Sequence, residues 1–287
     1  MTERQRRAWL RLAAVGLTGV LTAAVTIGPA NGAWAAVPGL QVIYATSNAD
    51  SLASKEISIT CPAGQSPLSA GADILDGGPD VVVDDMTVGA STVTAKAYED
   101  QDGTNVSWQI RVYAICAVPL PSQQIVTAVT AKDDVAAKSI TAVCPAGTVV
   151  IGTGGRIAGG LGQVVLDEVR PLSNNTEVHA FAFADQDGTD GAAWDLKVFG
   201  VCAAQPVGYT VVTAGSVSNS SNKGMDAVCP AGTSPTGGGF EITGGLGQTF
   251  AERLWYDTTS VHAGGREDDD GNAGNWDIRT TAICATP

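Results

Sequence analysis

The sequence predicts an all-β protein built from three homologous repeats, and three observations carry that prediction. A Cys-Pro-Ala-Gly occurs at Cys61, Cys144 and Cys229, each followed by an acidic turn, a tryptophan and a second cysteine. Apolar residues alternate with period two in the segments around those motifs, the signature of strands. Glycine clusters punctuate the segments, and no window beyond residue 35 sustains a 3.6-residue period with caps.

The chain opens on Arg4, Arg6, Arg7 and Arg11, an uncharged run from Leu12 to Ile27, and Ala33-Trp34-Ala35. A basic region, an apolar core and small residues before a cleavage point form an export signal, expected to be cut after Ala35. An uncleaved anchor is the competing reading, since the apolar run approaches spanning length; the Ala-x-Ala site favours cleavage. Arg6-Arg7 also touches the twin-arginine pattern. The expected segments are a signal peptide, 1–35, and β repeats at 36–121, 122–205 and 206–287.

Without Arg4, Arg6, Arg7, Arg11 and Glu3, the mature chain carries 12 basic against 28 acidic side chains, a formal charge of −16. Such a surface repels phosphate backbones and argues against nucleic acid as a partner. No basic amphipathic stretch points to membrane binding after signal cleavage. Divalent cations and neutral or cationic polymers remain compatible partners.

Two cysteines fall in each repeat. They close either within it, as Cys61–Cys116, Cys144–Cys202 and Cys229–Cys284, or between neighbours, as Cys116–Cys144, Cys202–Cys229 and Cys284–Cys61. Closure within the repeat is favoured because it demands no particular packing between units. The alternation agrees: Trp108, Ile110, Val112, Ala114 and Cys116 share one strand face, and Ile57, Ile59 and Cys61 share another. Each such bridge closes a loop of about 56–59 residues, worth roughly 4 kcal/mol in the chain-entropy model. Export to an oxidising compartment fits structural disulfides, and no Cys-x-x-Cys pair is present.

Further strands are legible at Val42–Thr46, Val81–Val88 and Val93–Tyr98, with counterparts in the other copies. Each repeat then holds roughly four to six strands.

The acidic turns carry the first candidate chemistry. Asp100 and Asp102, Asp185 and Asp187, and Asp268 and Asp270 each precede a glycine. Paired carboxylates at a sharp bend can gather oxygens around a hard cation, calcium being the expected ion; Asp190, Glu267 and Asp269 stand nearby. The EF-hand spacing is missing, and Asp-Gly equally makes a plain hairpin turn. Trp108, Trp194 and Trp276 each lie eight residues before a cysteine, on the cysteine's strand face, which places them in the core. Trp255-Tyr256, Tyr113 and Phe199 are the better contact-surface candidates. Lys55, Lys138 and Lys223, with Arg111, Lys197 and Arg279, recur at equivalent places opposite Asp84, Asp167 and Glu252. They read as cross-strand ion pairs on solvent faces. Catalysis finds little footing. The two histidines, His179 and His262, occupy corresponding strands, Thr94 takes their place in the first copy, and no nucleophile elbow or phosphate loop appears.

Cys-Pro-Ala-Gly, Gly-Gly and Asp-Gln-Asp-Gly…Trp…Ala-x-Cys-Ala together resemble a repeat of secreted bacterial proteins of unknown function, across all three units. Cys144-Pro145-Ala146-Gly147 with Asp187–Cys202, and their equivalents, are also loosely similar to the vitelline membrane outer layer protein family. That likeness implies a β-prism, three sheets about a pseudo-threefold axis. The present repeats are longer, by a hairpin's worth of residues near 164–183, and place tryptophan before the last strand. A pseudo-threefold, prism-like arrangement is therefore expected, with tandem small β-sandwich domains as the alternative. Threefold display of identical weak sites would give avidity. The expected function is a secreted, non-enzymatic, lectin-like protein that recognises a polysaccharide, a cell-surface glycan or a cell-wall polymer, and requires no cofactor. A structural role at the cell surface comes second and a glycoside hydrolase third.

Overall fold

The computed structural model describes residues 35–189 and 191–287; the predicted export signal up to Trp34, and Asp190, lie outside them. Repeat 1 forms β1 (Gln41–Thr46), β2 (Ser54–Thr60), β3 (Ser66–Leu75), β4 (Val81–Val88), β5 (Thr92–Glu99) and β6 (Gln109–Ala117). Repeat 2 forms β7 (Gln124–Val129), β8 (Ala137–Val143), β9 (Val149–Ala158), β10 (Val164–Pro171), β11 (Glu177–Ala184) and β12 (Asp195–Ala203). Repeat 3 forms β13 (Thr210–Gly215), β14 (Lys223–Val228), β15 (Ser234–Thr243), β16 (Thr249–Tyr256), β17 (Ser260–Glu267) and β18 (Asp277–Ala285). A 3-10 turn at Gly78–Asp80 is the one helical element among the described residues.

The strands make three antiparallel six-stranded sheets, and no repeat owns one. Sheet I runs β1-β6-β3-β16-β17-β14, sheet II β2-β5-β4-β9-β12-β7 and sheet III β13-β18-β15-β10-β11-β8. Each sheet takes the first, sixth and third strands of one repeat and the fourth, fifth and second of another. The pseudo-threefold reading holds and the tandem-domain alternative does not, because every repeat completes two sheets with its neighbours.

The joins are short. β3 meets β16 through two registered pairs, as β9 meets β4 and β15 meets β10. Glycine makes the crossings feasible. A Cβ on Gly71 would stand 2.3 Å from Leu254 O, on Gly154 2.4 Å from Met86 O, and on Gly239 2.0 Å from Val169 O. The third strands also meet one another, since a Cβ on Gly237 would lie 2.5 Å from Gly152 Cα. At this axis the Ser69 hydroxyl donates to Thr153 O at 3.2 Å, and the Tyr256 hydroxyl to Ala70 O at 2.7 Å. Val37, fully buried, donates its N–H to Thr286 O at 2.8 Å and so ties the beginning of the described chain to its end.

The disulfides are Cys61–Cys116, Cys144–Cys202 and Cys229–Cys284, each with Cα atoms 5.7 Å apart. Pairing within the repeat is thus realised, and it does more than close a loop. Cys61 follows β2 of sheet II while Cys116 lies in β6 of sheet I, so each bridge ties two sheets together.

Trp108, Trp194 and Trp276 are fully buried, as their phase predicts. Lys55, Lys138 and Lys223 do not lie on solvent faces. Their ammonium groups stand 4.7, 4.6 and 3.5 Å from the centroids of those tryptophan rings. Carbonyls accept hydrogen bonds from two of them, Lys138 Nζ donating to Trp194 O at 2.6 Å and Lys223 Nζ to Trp276 O at 2.8 Å, while Lys55 and Lys138 also pair with the carboxylates of Asp50 and Asp133. An alternating pattern cannot show that a lysine stem runs along the core and ends over a ring.

The indole N–H groups differ between repeats. Trp108 Nε1 donates to Glu99 Oε1 and Trp276 Nε1 to Glu267 Oε1, both at 2.9 Å. Ala184 occupies the equivalent place in repeat 2, and Trp194 Nε1 is buried without a partner. Ala184→Glu is expected to stabilise the protein by about 1 kcal/mol, the usual net gain of such a bond. Its chemical-denaturation midpoint should rise; an unchanged or lower midpoint would refute the account.

Candidate functional site

Among the described residues, two places that hold residues singled out from the sequence bring chemistry-bearing side chains together, and both lie where repeats meet. The first is the end of the axis where the three acidic turns converge. Asp100, Asp185 and Asp268 with Gln101, Gln186 and Asp269 surround a cavity of about 10 Å³. It is floored by Val82, Val165 and Phe250, the second residues of β4, β10 and β16.

Each turn has the Asp-Gly geometry expected from sequence. Gly103, Gly188 and Gly271 take positive φ, and Asp100, Asp185 and Asp268 accept the following glycine N–H at 3.2, 2.9 and 2.9 Å. Burial pushes these three carboxyls up to about 6, about 7 and about 6, against the opposing pull of those N–H bonds.

The seams between turns are not alike. Between repeats 1 and 2, Gln101 bonds both Gln163 and Asp187. Between repeats 2 and 3, Gln186 Nε2 donates to Asp270 Oδ2 at 3.0 Å. At the third seam Asp269 takes the place of Gln101 and Gln186, and Asp80, just before β4, takes the place of Gln163. Carboxylate oxygens of Asp80, Asp100 and Asp269 lie within 4.8 Å of one another. Burial first, then the charges of Asp269, Asp102 and Glu99, raise the Asp80 carboxyl.

Of the sequence-predicted cation ligands, then, Asp100 belongs to the tightest trio. Asp187 and Asp270 are engaged by glutamine amides, and Asp102 is within 3.2 Å of Gln101 Nε2. Asp80 was not legible, because nothing in a linear motif places a residue twenty positions earlier beside the turn. The only signal was the Gln163 and Gln248 found at its equivalents.

The second place is a row of side chains crossing sheet I. Register sets Tyr44 opposite Tyr113, Tyr113 opposite Gly71, Trp255 opposite His262 and His262 opposite Asp226. The rings touch in sequence: Tyr44–Tyr113 centroids are 5.7 Å apart, Tyr113–Trp255 6.0 Å and Trp255–His262 3.7 Å, the last pair stacked at 10°. Tyr44 is 61% exposed at the sheet edge, whereas Tyr113 is buried. The Arg111 guanidinium stands 5.1 Å from the Tyr44 centroid and donates to Thr46 Oγ1 at 2.9 Å. His262 is held at both nitrogens, by Asp226 Oδ1 at 2.8 Å and Asp257 Oδ2 at 3.1 Å. Burial raises the Asp257 carboxyl, but bonds from the Thr259 N–H and from His262 outweigh it and leave it below its ordinary value.

The same row in the other sheets reads differently. Sheet II has Thr127, Phe199, Gly154, Thr87, Thr94 and Ser58, and sheet III has Thr213, Thr281, Gly239, Arg170, His179 and Thr141. Glycine alone is common to all three. Tyr113 and Trp255, singled out from sequence, do meet; Phe199 belongs to another sheet and Tyr256 is buried at the axis. Tyr44 joins Tyr113 through the β1–β6 pairing and His262 joins Trp255 across the β16–β17 hairpin, and the two halves meet only because β3 pairs with β16 of another repeat.

The recurring acids depart from the expected cross-strand ion pairing in two of the three repeats, and Glu252 keeps it. Asp84, Asp167 and Glu252 are the residues skipped at β-bulges in β4, β10 and β16. Asp84 and Asp167 are buried, which lifts both carboxyls well above their usual range, while Glu252 pairs with Arg266 at 2.9 Å. Among the described residues no helix is long and apolar enough to cross a membrane. No protein-family model matches the chain, and no curated protein is found to resemble it.

Proposed function

We propose that this is a secreted, non-enzymatic binding protein that holds a neutral polysaccharide against the aromatic row of sheet I. The observation behind the reading is the unbroken ring contact from Tyr44 through Tyr113 and Trp255 to His262, flanked by Arg111 and Asp226. Apolar C–H faces of a sugar pack on aromatic surface, and neighbouring polar groups take its hydroxyls. The three disulfides support an oxidising compartment, and the export signal supports secretion. One site, rather than three equal ones, follows from the differing rows. The non-catalytic reading draws on the two histidines, which sit in different sheets, each already engaged by carboxylate. Calcium at the Asp80, Asp100 and Asp269 seam would act as a structural ion, relieving the carboxylate repulsion there.

The test is retention of the mature chain on insoluble chitin, cellulose and peptidoglycan. Tyr44→Ala and Trp255→Ala should each weaken retention about tenfold, the effect of losing one desolvated aromatic contact. Retention unaffected by both, or retention on none of the matrices, would sink the reading; the latter would favour the structural role.

A further inference from the structure

The β10–β11 connection is longer than its equivalents. Residues 89–91 join β4 to β5 and 257–259 join β16 to β17, but 172–176 join β10 to β11, two residues more. The added length is ordered by its own bonds. Asn175 takes φ +57°, donates its N–H to Leu172 O at 2.9 Å and accepts the Val150 N–H at 2.9 Å. Asn174 Oδ1 accepts the Thr176 N–H at 3.0 Å. The turn therefore stands as a fixed wall opposite β13 of repeat 3.

Between wall and strand lie two adjoining cavities, of about 580 and about 200 Å³, which share Ser173, Asn175 and Val211. The larger is lined by Asn174, Gln205, Thr210 and Tyr209. The Tyr209 hydroxyl donates to Val150 O at 2.9 Å, so this residue offers a ligand its ring and an acceptor oxygen. The smaller cavity opens on Arg170, Glu241 and Arg279. Those charges balance locally: Arg170 pairs with Glu168 at 2.9 Å and Glu241 at 3.1 Å, and Arg279 with Glu241 at 3.4 Å.

We propose that this cleft is a second binding site, for a short neutral oligosaccharide. Amides and hydroxyls at one end each present donors and acceptors, as sugar hydroxyls require. Balanced arginine–glutamate pairs at the other add charge-assisted bonds without demanding a charged ligand. The larger cavity is within the roughly 300–1,000 Å³ of small-molecule sites. The proposal rests on the saccharide reading but uses no residue of the aromatic row.

The experiment is an NMR titration of the isotope-labelled mature chain with cellotriose and, separately, triacetylchitotriose, following the side-chain amides of Asn174, Asn175 and Gln205. At least one trisaccharide should shift these signals saturably. Gln205→Ala should weaken that binding at least fivefold, and Trp255→Ala should leave it unchanged. As a second variant, cutting 172–176 to the Gly-Ala-Ser of residues 89–91 removes two of the three reporters and should abolish the shift of the remaining one, Gln205, while the rest of the spectrum stays folded. Amide signals that stay still with both sugars would overturn the proposal, as would a Gln205 shift that survives the shortened turn. Shifts confined to the surroundings of Tyr44 and Trp255 would leave the proposed function standing and remove the cleft. Shifts in the cleft without retention on any polysaccharide would do the reverse.

Discussion

Gly239→Ala is expected to cost more than about 4 kcal/mol, a loss large enough to unfold most domains of ordinary stability. The new methyl would stand 2.0 Å from Val169 O and 2.8 Å from Arg170 Cα. Both obstacles are backbone, so no rotamer change relieves the clash, and the crossing of β15 with β10 must open. Sheet III would then lose the join between its two halves. Gly152→Ala should behave alike, since its methyl would meet Leu68 O at 1.8 Å. Gly215→Ala on edge strand β13 is the control, where the nearest obstacle is Arg279 Cγ at 3.6 Å, and it should change stability by less than about 0.5 kcal/mol. Guanidinium denaturation of the three variants decides the matter. A Gly239→Ala midpoint close to that of Gly215→Ala would show that the crossings are not what holds the repeats together.

The second large effect is on pH. Asp100, Asp268 and Asp185, raised to about 6, about 6 and about 7, and Asp85, raised to about 7 mainly by burial, prefer the protonated form when folded. Below their unfolded values near 4 they cost nothing. As pH climbs through 6 and 7 each must ionise in an unfavourable place, and stability falls. The undiluted shifts would amount to about 3–4 kcal/mol each, but partial exposure and screening reduce this to about 1 kcal/mol per group. Asp257 works in the opposite sense, its lowered carboxyl stabilising above pH 4 and ceasing to do so as pH falls. The Tm should therefore peak near pH 5 and decline by several degrees toward pH 8. Asp80→Gln with Asp269→Gln restores the amide pairing of the sibling seam. It should recover more stability at pH 8 than at pH 5, because burial and neighbouring charge disfavour the ionised Asp80 carboxylate. Millimolar calcium at pH 8 should raise the Tm of the natural chain and leave the double variant unmoved. A Tm that is level or rises from pH 5 to pH 8 would contradict the electrostatic account of the axis end.

The sequence made the strands with alternating apolar residues legible, and with them the repeat, the disulfide pairing and the buried tryptophans. The strands that matter most for architecture were the least visible. β3, β9 and β15 read Ser-Pro-Leu-Ser-Ala-Gly-Ala, Val-Val-Ile-Gly-Thr-Gly-Gly and Ser-Pro-Thr-Gly-Gly-Gly-Phe at their starts. Glycine and serine there signal turns in a linear reading, because close backbone approach and punctuation use the same residue. The exchange of half-sheets between repeats also leaves no local mark, since each strand alternates identically whichever repeat supplies its partner. The acidic turns were found from their motif. Their convergence, and the replacement of two amides by Asp80 and Asp269 at one seam, needed the axis. The aromatic row needed pairing across repeats: Tyr44 and His262 stand 218 positions apart in the chain.

The interlocking of the three repeats underlies every site described, because each site is assembled where two or all three repeats meet. Scanning calorimetry of the mature chain, disulfides intact, tests it most directly. One transition, with a calorimetric enthalpy equal to the van't Hoff enthalpy, is the result expected of a single cooperative body. Two or three resolved transitions, or a calorimetric enthalpy near three times the van't Hoff value, would mean that the repeats melt independently and that the shared sheets do not bind them.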